Sequence, residues 1–314
     1  MHRRTGYKTC KLRRAIKESR KRLDHEANYT PTKWSKRFDQ MRILVQHYKL
    51  AKNVTENSRK NLECELDIAY GTTDRTKYDI FGTDLPKDAP LFVFIHGGYW
   101  QEGSKDTAAF AAPVFTRKGV KVVTIGYDLC PHVNFEDIMS QIKMAVEQIL
   151  KFAFSLGSRG VWISGHSAGA HLASSLLFDQ LWMEKMAEKG CLSLLKGIVL
   201  ISGIYNLNQL VNTTIINNLK LTKDEIKAYS LTTLDIKNNK PIQGLKVIVT
   251  VGECESPGFI NESRECVQKL ITVVDNVQYI LLRDNIDHFN IVENFTDEEF
   301  ILTKVILNSI FYNS

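Results

Sequence analysis

The chain has 314 residues, 44% hydrophobic and 24% charged, a balance that suits one large globular domain with a sizeable core. No run approaches the roughly 18 consecutive apolar residues of a membrane-spanning helix, so no membrane segment is expected. The formal net charge of +6 is concentrated at the start: residues 1 to 22 carry ten Lys or Arg against the single acid Glu18, a local +9 that leaves −3 for the remainder. A mildly acidic body makes no case for nucleic-acid binding.

In chain order, residues 1 to 28 read as a basic, flexible, solvated extension and residues 29–314 as one domain. The extension lacks the apolar core of a secretory signal, so a cytoplasmic location is expected, with a nuclear address or a mitochondrial presequence as the alternatives. The six cysteines (Cys10, Cys64, Cys130, Cys191, Cys254, Cys266) are scattered without a C-x-x-C pair. That spacing supports neither a disulfide framework nor a zinc site, and no metal or cofactor is expected.

Trp34, Phe38, Met41, Val45 and Tyr48 recur at spacings of 4, 3, 4 and 3, which predicts one helix face packed on the body. Leu62, Cys64, Leu66 and Ile68 alternate with polar neighbours, as in a half-exposed edge strand. Short apolar runs follow: 91–95, 120–127, 160–165, 197–203, 246–252 and 277–282. Helix-like stretches lie between them at 106–118, 134–154, 168–178 and 258–272. Strands buried on both faces and joined by helices predict an α/β architecture, a mostly parallel, doubly wound sheet with antiparallel pairing at its start. The polar stretch from Ile204 to Gln243 lacks a strong strand, and an insertion that long reads as a lid or binding element.

Three segments carry chemistry. "GHSAG" (165–169) fits G-x-S-x-G between a strand and a helix, the turn that lifts a nucleophilic serine, Ser167, above the sheet of an α/β hydrolase. "HGGYW" (96–100) ends a strand where that fold places an oxyanion hole, with Gly98, Tyr99 and Ala168 as backbone donors; His96 reads as structural. "RDNIDHFNIVENF" (283–295) follows the last strand and supplies His288, while His166 and His171 beside the serine are expected to be directed elsewhere. The chain order Ser, acid, His requires a carboxylate after the strand 246–252, and its loop offers Glu253 and Glu255, with no aspartate. Asp287 would have to fold against its own backbone, and Asp284 lies after the wrong strand. The residues alone leave Glu253 and Glu255 tied.

With these residues in hand, the chain resembles the kynurenine formamidase (arylformamidase) family. The resemblance is carried by "YTPTKWSKR", "HGGYWQEGSKD", "YDLCP", "GHSAGAHLA", "GECESPGF" and "DHFNIVENF", and runs over nearly the whole chain beyond residue 28. It implies the α/β-hydrolase fold, hydrolysis of N-formyl-L-kynurenine to L-kynurenine and formate, and a homodimer. Matched position by position, the family's nucleophile falls on Ser167 and its histidine on His288. Its acid, an aspartate in the pattern D-S-P, falls on Glu255, which selects Glu255 over Glu253. For this small-molecule substrate, an N-formyl aryl amide, Tyr99 and Trp100 are expected to wall the site, Ser256 to assist near the acid, and the insertion to cap the amino-acid end. A general carboxylesterase and a hydrolase-fold binding protein without turnover are the competing readings.

Overall fold

The structure is a computed structural model that describes residues 24–234 and 242–312. Most of the expected basic extension therefore lies outside the described residues. Its boundary at residue 28 falls too late: residues 24–28 are helical, and Glu26 accepts from Thr214 N at 2.9 Å, so the packed body already includes them.

Eight strands form one sheet: β1 (Cys64–Ala69), β2 (Lys77–Phe81), β3 (Leu91–Ile95), β4 (Lys121–Ile125), β5 (Val161–His166), β6 (Leu195–Ile201), β7 (Ile242–Gly252) and β8 (Val274–Leu282). Their order is β1-β2-β4-β3-β5-β6-β7-β8. The pairs β1–β2 and β2–β4 are antiparallel, and the others are parallel. This is the mixed, mostly parallel sheet expected from the sequence. The reason is visible along β3, where all five residues of "LFVFI" are buried: Leu91, Val93 and Ile95 face one apolar layer, Phe92 and Phe94 the other. A strand apolar on both sides can only be covered by helices on both faces.

The helices used below are α1 (Gln40–Asn61), α2 (Ala112–Arg117), α3 (Phe135–Ser155), α4 (Ala168–Phe178), α5 (Gln180–Glu188), α6 (Ile216–Leu219), α7 (Lys223–Tyr229), α8 (Pro257–Leu270), α9 (Asn290–Glu293) and α10 (Ile301–Tyr312). One layer joins α3, α4, α5 and α8 with the insertion, and the other joins α1, α2, α9 and α10. Their starts follow local chemistry. Asn134 and Asp137 form a reciprocal capping box at α3, and Ser256 caps α8 just ahead of Pro257.

Three expectations need correction. The stripe through Met41, Val45 and Tyr48 is not packed: Met41 is 72% exposed and Tyr48 60%. Asp39 caps α1 after Trp34 and Phe38 have passed, and the helix docks through Ile43 and through Ala51, Thr55 and Ser58, the last three with small side chains that allow close approach. In β1 a register shift between Glu65 and Ile68, with Asp67 at φ +56°, breaks the alternation and leaves Leu66 exposed. The predicted helix 106–118 is a 3₁₀ turn at Lys105–Thr107 followed by the short α2, whose Pro113 suits only a first turn. The described part of the insertion holds α6, α7 and 3₁₀ turns of three or four residues.

The insertion is pinned at its base by one buried acid. Glu262 on α8 accepts from Tyr205 N at 2.8 Å and Asn206 N at 3.0 Å through one oxygen, and from Tyr29 Oη at 3.0 Å through the other. Burial pushes its pKa up to about 7, with these hydrogen bonds pulling the other way. The folded state thus holds the proton more tightly than the unfolded chain, where the group titrates near 4.5. The associated stabilisation is complete below that value and is lost as pH rises through about 7, a contribution on the order of 3 kcal/mol. Thermal unfolding of Glu262→Gln should therefore show a flatter fall in Tm between pH 5 and 7 (roughly the titration window) than the unmodified chain; an identical slope would assign the effect to other groups.

Candidate active site

Strand β5 runs into α4 through Ser167, which sits at φ +56°, ψ −119°. A non-glycine residue held there stores on the order of 1–3 kcal/mol, so the surrounding packing must impose it. Two glycines make the turn possible. A Cβ at Gly165 would lie 2.0 Å from the Gly169 carbonyl oxygen, and one at Gly169 would lie 2.1 Å from the Ile95 oxygen. Ala168 opens α4, so its N–H has no partner inside the helix.

The loop after β3 is a second strained turn. Gly98, Tyr99 and Trp100 have φ of +109°, +51° and +57°. Gln101 N and Glu102 N both donate to Gly98 O at 2.9 Å, and a Cβ on Gly98 would meet Glu102 O at 2.3 Å. His96 anchors the loop: its ring stacks on Tyr127 at 4.2 Å, and Tyr127 Oη donates to the His96 carbonyl at 2.9 Å. Burial pushes the His96 pKa down to about 4, which keeps the ring neutral at pH 7 and suits a structural role.

His288 follows β8, and its Nδ1 lies 2.8 Å from Glu255 Oε1. Glu255 is 3% exposed. The two loops are braided before they reach these residues: Glu253 N donates to Leu282 O at 2.9 Å and Cys254 N to Ile286 O at 2.8 Å. The His288 ring packs against His166 at 4.6 Å and Phe259 at 4.8 Å. Glu253 points away, accepting from Asn285 N at 2.9 Å and Arg283 Nη1 at 3.2 Å, bonds that hold its pKa below the ordinary carboxylate range. The carboxylate partner of His288 is Glu255.

Ser167 and His288 line one cavity of about 620 Å³ with Gly98, Tyr99, Tyr29 and Phe289. Thr214 and Ile215 of the insertion line it too, and Gln101 Nε2 donates to Ile215 O at 2.9 Å, so the insertion reaches the cavity. Tyr99 is fixed by donating from Oη to Tyr29 O at 2.7 Å.

Three readings of site residues do not hold. Trp100 is fully buried against Phe135 and His171, at 5.1 and 5.2 Å, and does not line the cavity; its positive φ turns it into the core beneath the loop. Ser256 is also fully buried, accepting from Phe259 N and donating to Asn28 O, so it caps α8 and has nothing left for a substrate. His166 lines the cavity instead of pointing elsewhere. Burial, and then the charges of His288 and His47, push its pKa down.

Sequence reasoning also missed the support behind His288. Asp287 is 1% exposed and accepts from Arg37 Nε at 2.8 Å, Arg37 Nη2 at 3.1 Å and Ser35 Oγ at 2.6 Å. Arg37 Nη1 reaches Glu293 at 2.8 Å, and Glu293 meets His47 Nδ1 at 2.7 Å. Ser35 and Arg37 belong to "YTPTKWSKR", a segment whose match was legible although its task was not.

A mostly parallel sheet with a strained serine turn at one strand end and a carboxylate-paired histidine after the last strand defines an α/β hydrolase. Residues 79–263 match the BD-FAE family model. A solved structure from Silicibacter sp. tm1040 is 29% identical with a TM-score of 0.70, covering 83% of this chain and 93% of that one. The hyperthermophilic esterase from Pyrobaculum calidifontis shares the fold at 18% identity and a TM-score of 0.60, covering 87% and 91%. Kynurenine formamidase of Danio rerio is 30% identical over 91% of this chain and 95% of its own length, and that of Salmo salar 31% over 90% and 94%. The chain belongs to the kynurenine formamidase family.

The two glutamates give a direct test of the geometry. Glu255→Gln should lower kcat for a small aryl acetate by about 10³–10⁴-fold, the effect expected when a histidine loses its orienting carboxylate, while Glu253→Gln should stay within about twofold because it only loosens an exposed turn. Equal losses in two folded variants would refute this assignment of the acid.

Proposed function

We propose that the chain hydrolyses N-formyl-L-kynurenine, releasing L-kynurenine and formate, by acyl transfer through Ser167. One observation supports it above the others: an imidazole paired with a buried carboxylate shares a cavity with a serine held in a strained turn. Family membership adds the substrate class, since the relatives from Danio rerio and Salmo salar carry that activity in their names.

In this reading Ser167 Oγ attacks the formyl carbon while His288 Nε2 takes its proton, and Glu255 stabilises the imidazolium through Nδ1. The tetrahedral oxyanion receives the N–H groups of Gly98, Tyr99 and Ala168, each such donor being worth about 2.7–4 kcal/mol. His288 then passes the proton to the departing aryl amine as the C–N bond breaks. Water, deprotonated by His288, attacks the formyl ester, and formate leaves as the proton returns to Ser167. An aniline is a better leaving group than an alkyl amine, and a formyl group asks for almost no acyl pocket. Tyr99, held by its hydroxyl on Tyr29 O and lining the cavity with the serine, suits a wall that turns larger acyl groups away.

Purified protein should convert N-formyl-L-kynurenine to kynurenine, followed by its absorbance, faster than it cleaves a small aryl acetate. Ser167→Ala should abolish turnover, by about 10⁶-fold at the level of chemistry. Ester cleavage without formamide cleavage would instead identify a general carboxylesterase, and silence on both from folded protein would leave a binding protein.

A further inference from the structure

The cavity holds a second imidazole–carboxylate pair. His47 Nδ1 meets Glu293 Oε1 at 2.7 Å, close to the 2.8 Å of His288 and Glu255. The His47 ring packs against Phe110 at 5.6 Å and Phe289 at 5.2 Å, and all three residues line the cavity. With Nδ1 turned to Glu293, Nε2 lies at the far edge of the ring and has no partner among the described residues.

Charge decides what that edge offers. Burial would raise the pKa values of Asp287 and Glu293, but the hydrogen bonds from Arg37, Ser35 and His47 outweigh it, and both groups stay below the ordinary carboxylate range. Two ionised acids face a single guanidinium, Arg37, and leave one negative charge in a largely buried cluster. Among the described residues, the His47 imidazole is the other group in contact with that charge that can carry a positive charge, and because Nδ1 faces a carboxylate, a proton added to the ring would stand at Nε2.

The rest of the described lining supplies no other cation. It contains no Lys or Arg; its acids are Glu26 and Glu102, and its other histidines are His96, His166 and His288. Burial keeps His96 and His166 neutral at pH 7, and His288 is the proposed base.

We propose that His47, protonated against Glu293, binds the carboxylate of an aryl amino-acid substrate in this cavity and so determines specificity for the amino-acid end. The inference rests on the functional reading above and adds the recognition element that the formyl chemistry does not require. It assigns His47 to binding, not to bond breaking.

The test compares L-kynurenine with kynuramine, the same aryl amine bearing the ammonium but no carboxylate, by titration calorimetry. The informative variant is His47→Asn, whose amide nitrogen stands in for Nδ1 and keeps the bond to Glu293 while removing Nε2 and the charge. The unmodified protein should bind L-kynurenine at least about tenfold tighter than kynuramine, and His47→Asn should bring that ratio close to one. In turnover, KM for N-formyl-L-kynurenine should rise about tenfold with kcat within about threefold, the pattern of lost uniform binding. His47→Ala, which removes both ring nitrogens, serves if thermal unfolding shows that the Asn variant is not folded. A ratio that survives the substitution, a weakening shared equally by both ligands, or no preference in the unmodified protein would each overturn the proposal. A His47-dependent preference in a protein that fails to hydrolyse N-formyl-L-kynurenine would sink the functional reading and leave this site standing.

Discussion

The top of the sheet depends on backbone approaches that leave no room for a Cβ. Gly169 brings α4 against the end of β3, where a Cβ would sit 2.1 Å from Ile95 O. Gly97 brings the loop after β3 against the serine turn, where a Cβ would lie 2.9 Å from His166 O and 3.0 Å from Ser167 Cβ. Gly252 does the same between the ends of β7 and β8, 2.3 Å from Ile286 O. Serine, oxyanion loop and histidine loop are separate in sequence and meet because these three contacts are backbone on backbone. Their positions are thereby set by the sheet itself, the most rigid part of the molecule, and not by side chains that hop between rotamers.

The sheet alone does not close the site. Residues 26 to 48 run across the strand ends and supply a wall that the α/β core lacks. Tyr29 receives Tyr99 Oη on its carbonyl and gives its own hydroxyl to Glu262. Glu26 holds Thr214 of the insertion, Trp34 Nε1 donates to Ala27 O at 2.8 Å, and Ser35 with Arg37 clamps Asp287. One segment thus touches the oxyanion loop, the insertion and the histidine loop. Its buried ion pairs carry a high desolvation cost, and such groups fix geometry more reliably than they add stability. A wall of this kind couples substrate enclosure to the placement of His288, two functions that the core topology would leave independent.

What could be read from sequence follows from the range of the forces involved. Strands apolar on both faces and glycines at a strand-to-helix turn are local patterns, and β3 to β8, Ser167 and His288 were legible for that reason. The strand β2 was not singled out, because Asp79 in its middle disguises it; that buried carboxylate is paired with Arg59 and Lys105 and accepts from Asp67 N, partners that come from elsewhere in the chain. Trp100 and Ser256 were misplaced because a positive φ and a cap bond decide where a side chain points, and neither is written in residue type. The Glu253 and Glu255 tie could not be resolved from the residues alone, since both fit the loop and only the braid between the β7 and β8 ends separates them. The stripe on α1 misled in the opposite sense: its period is helical, yet the buried stripe is the one with small residues, where close packing outweighs apolar area.

The glutamate in the acid position changes how the histidine is held. Glu255 Oε1 takes His288 Nδ1, while Oε2 is buried with no hydrogen-bond partner among the described residues. A buried carboxylate oxygen without a donor is costly, and a single contact on a longer, more flexible side chain orients an imidazole less firmly than a fully bonded aspartate would. The compensation lies on the histidine side. His288 packs against His166, Phe259 and Phe289 at ring distances of 4.6, 4.8 and 5.6 Å, and the residue before it is clamped by Arg37. Packing and the neighbouring ion pair therefore fix the ring plane, and the carboxylate needs only to supply charge at Nδ1. In the proposed mechanism the role that an aspartate would perform alone is divided between Glu255, which sets the electrostatics, and the Arg37–Asp287 clamp, which sets the orientation.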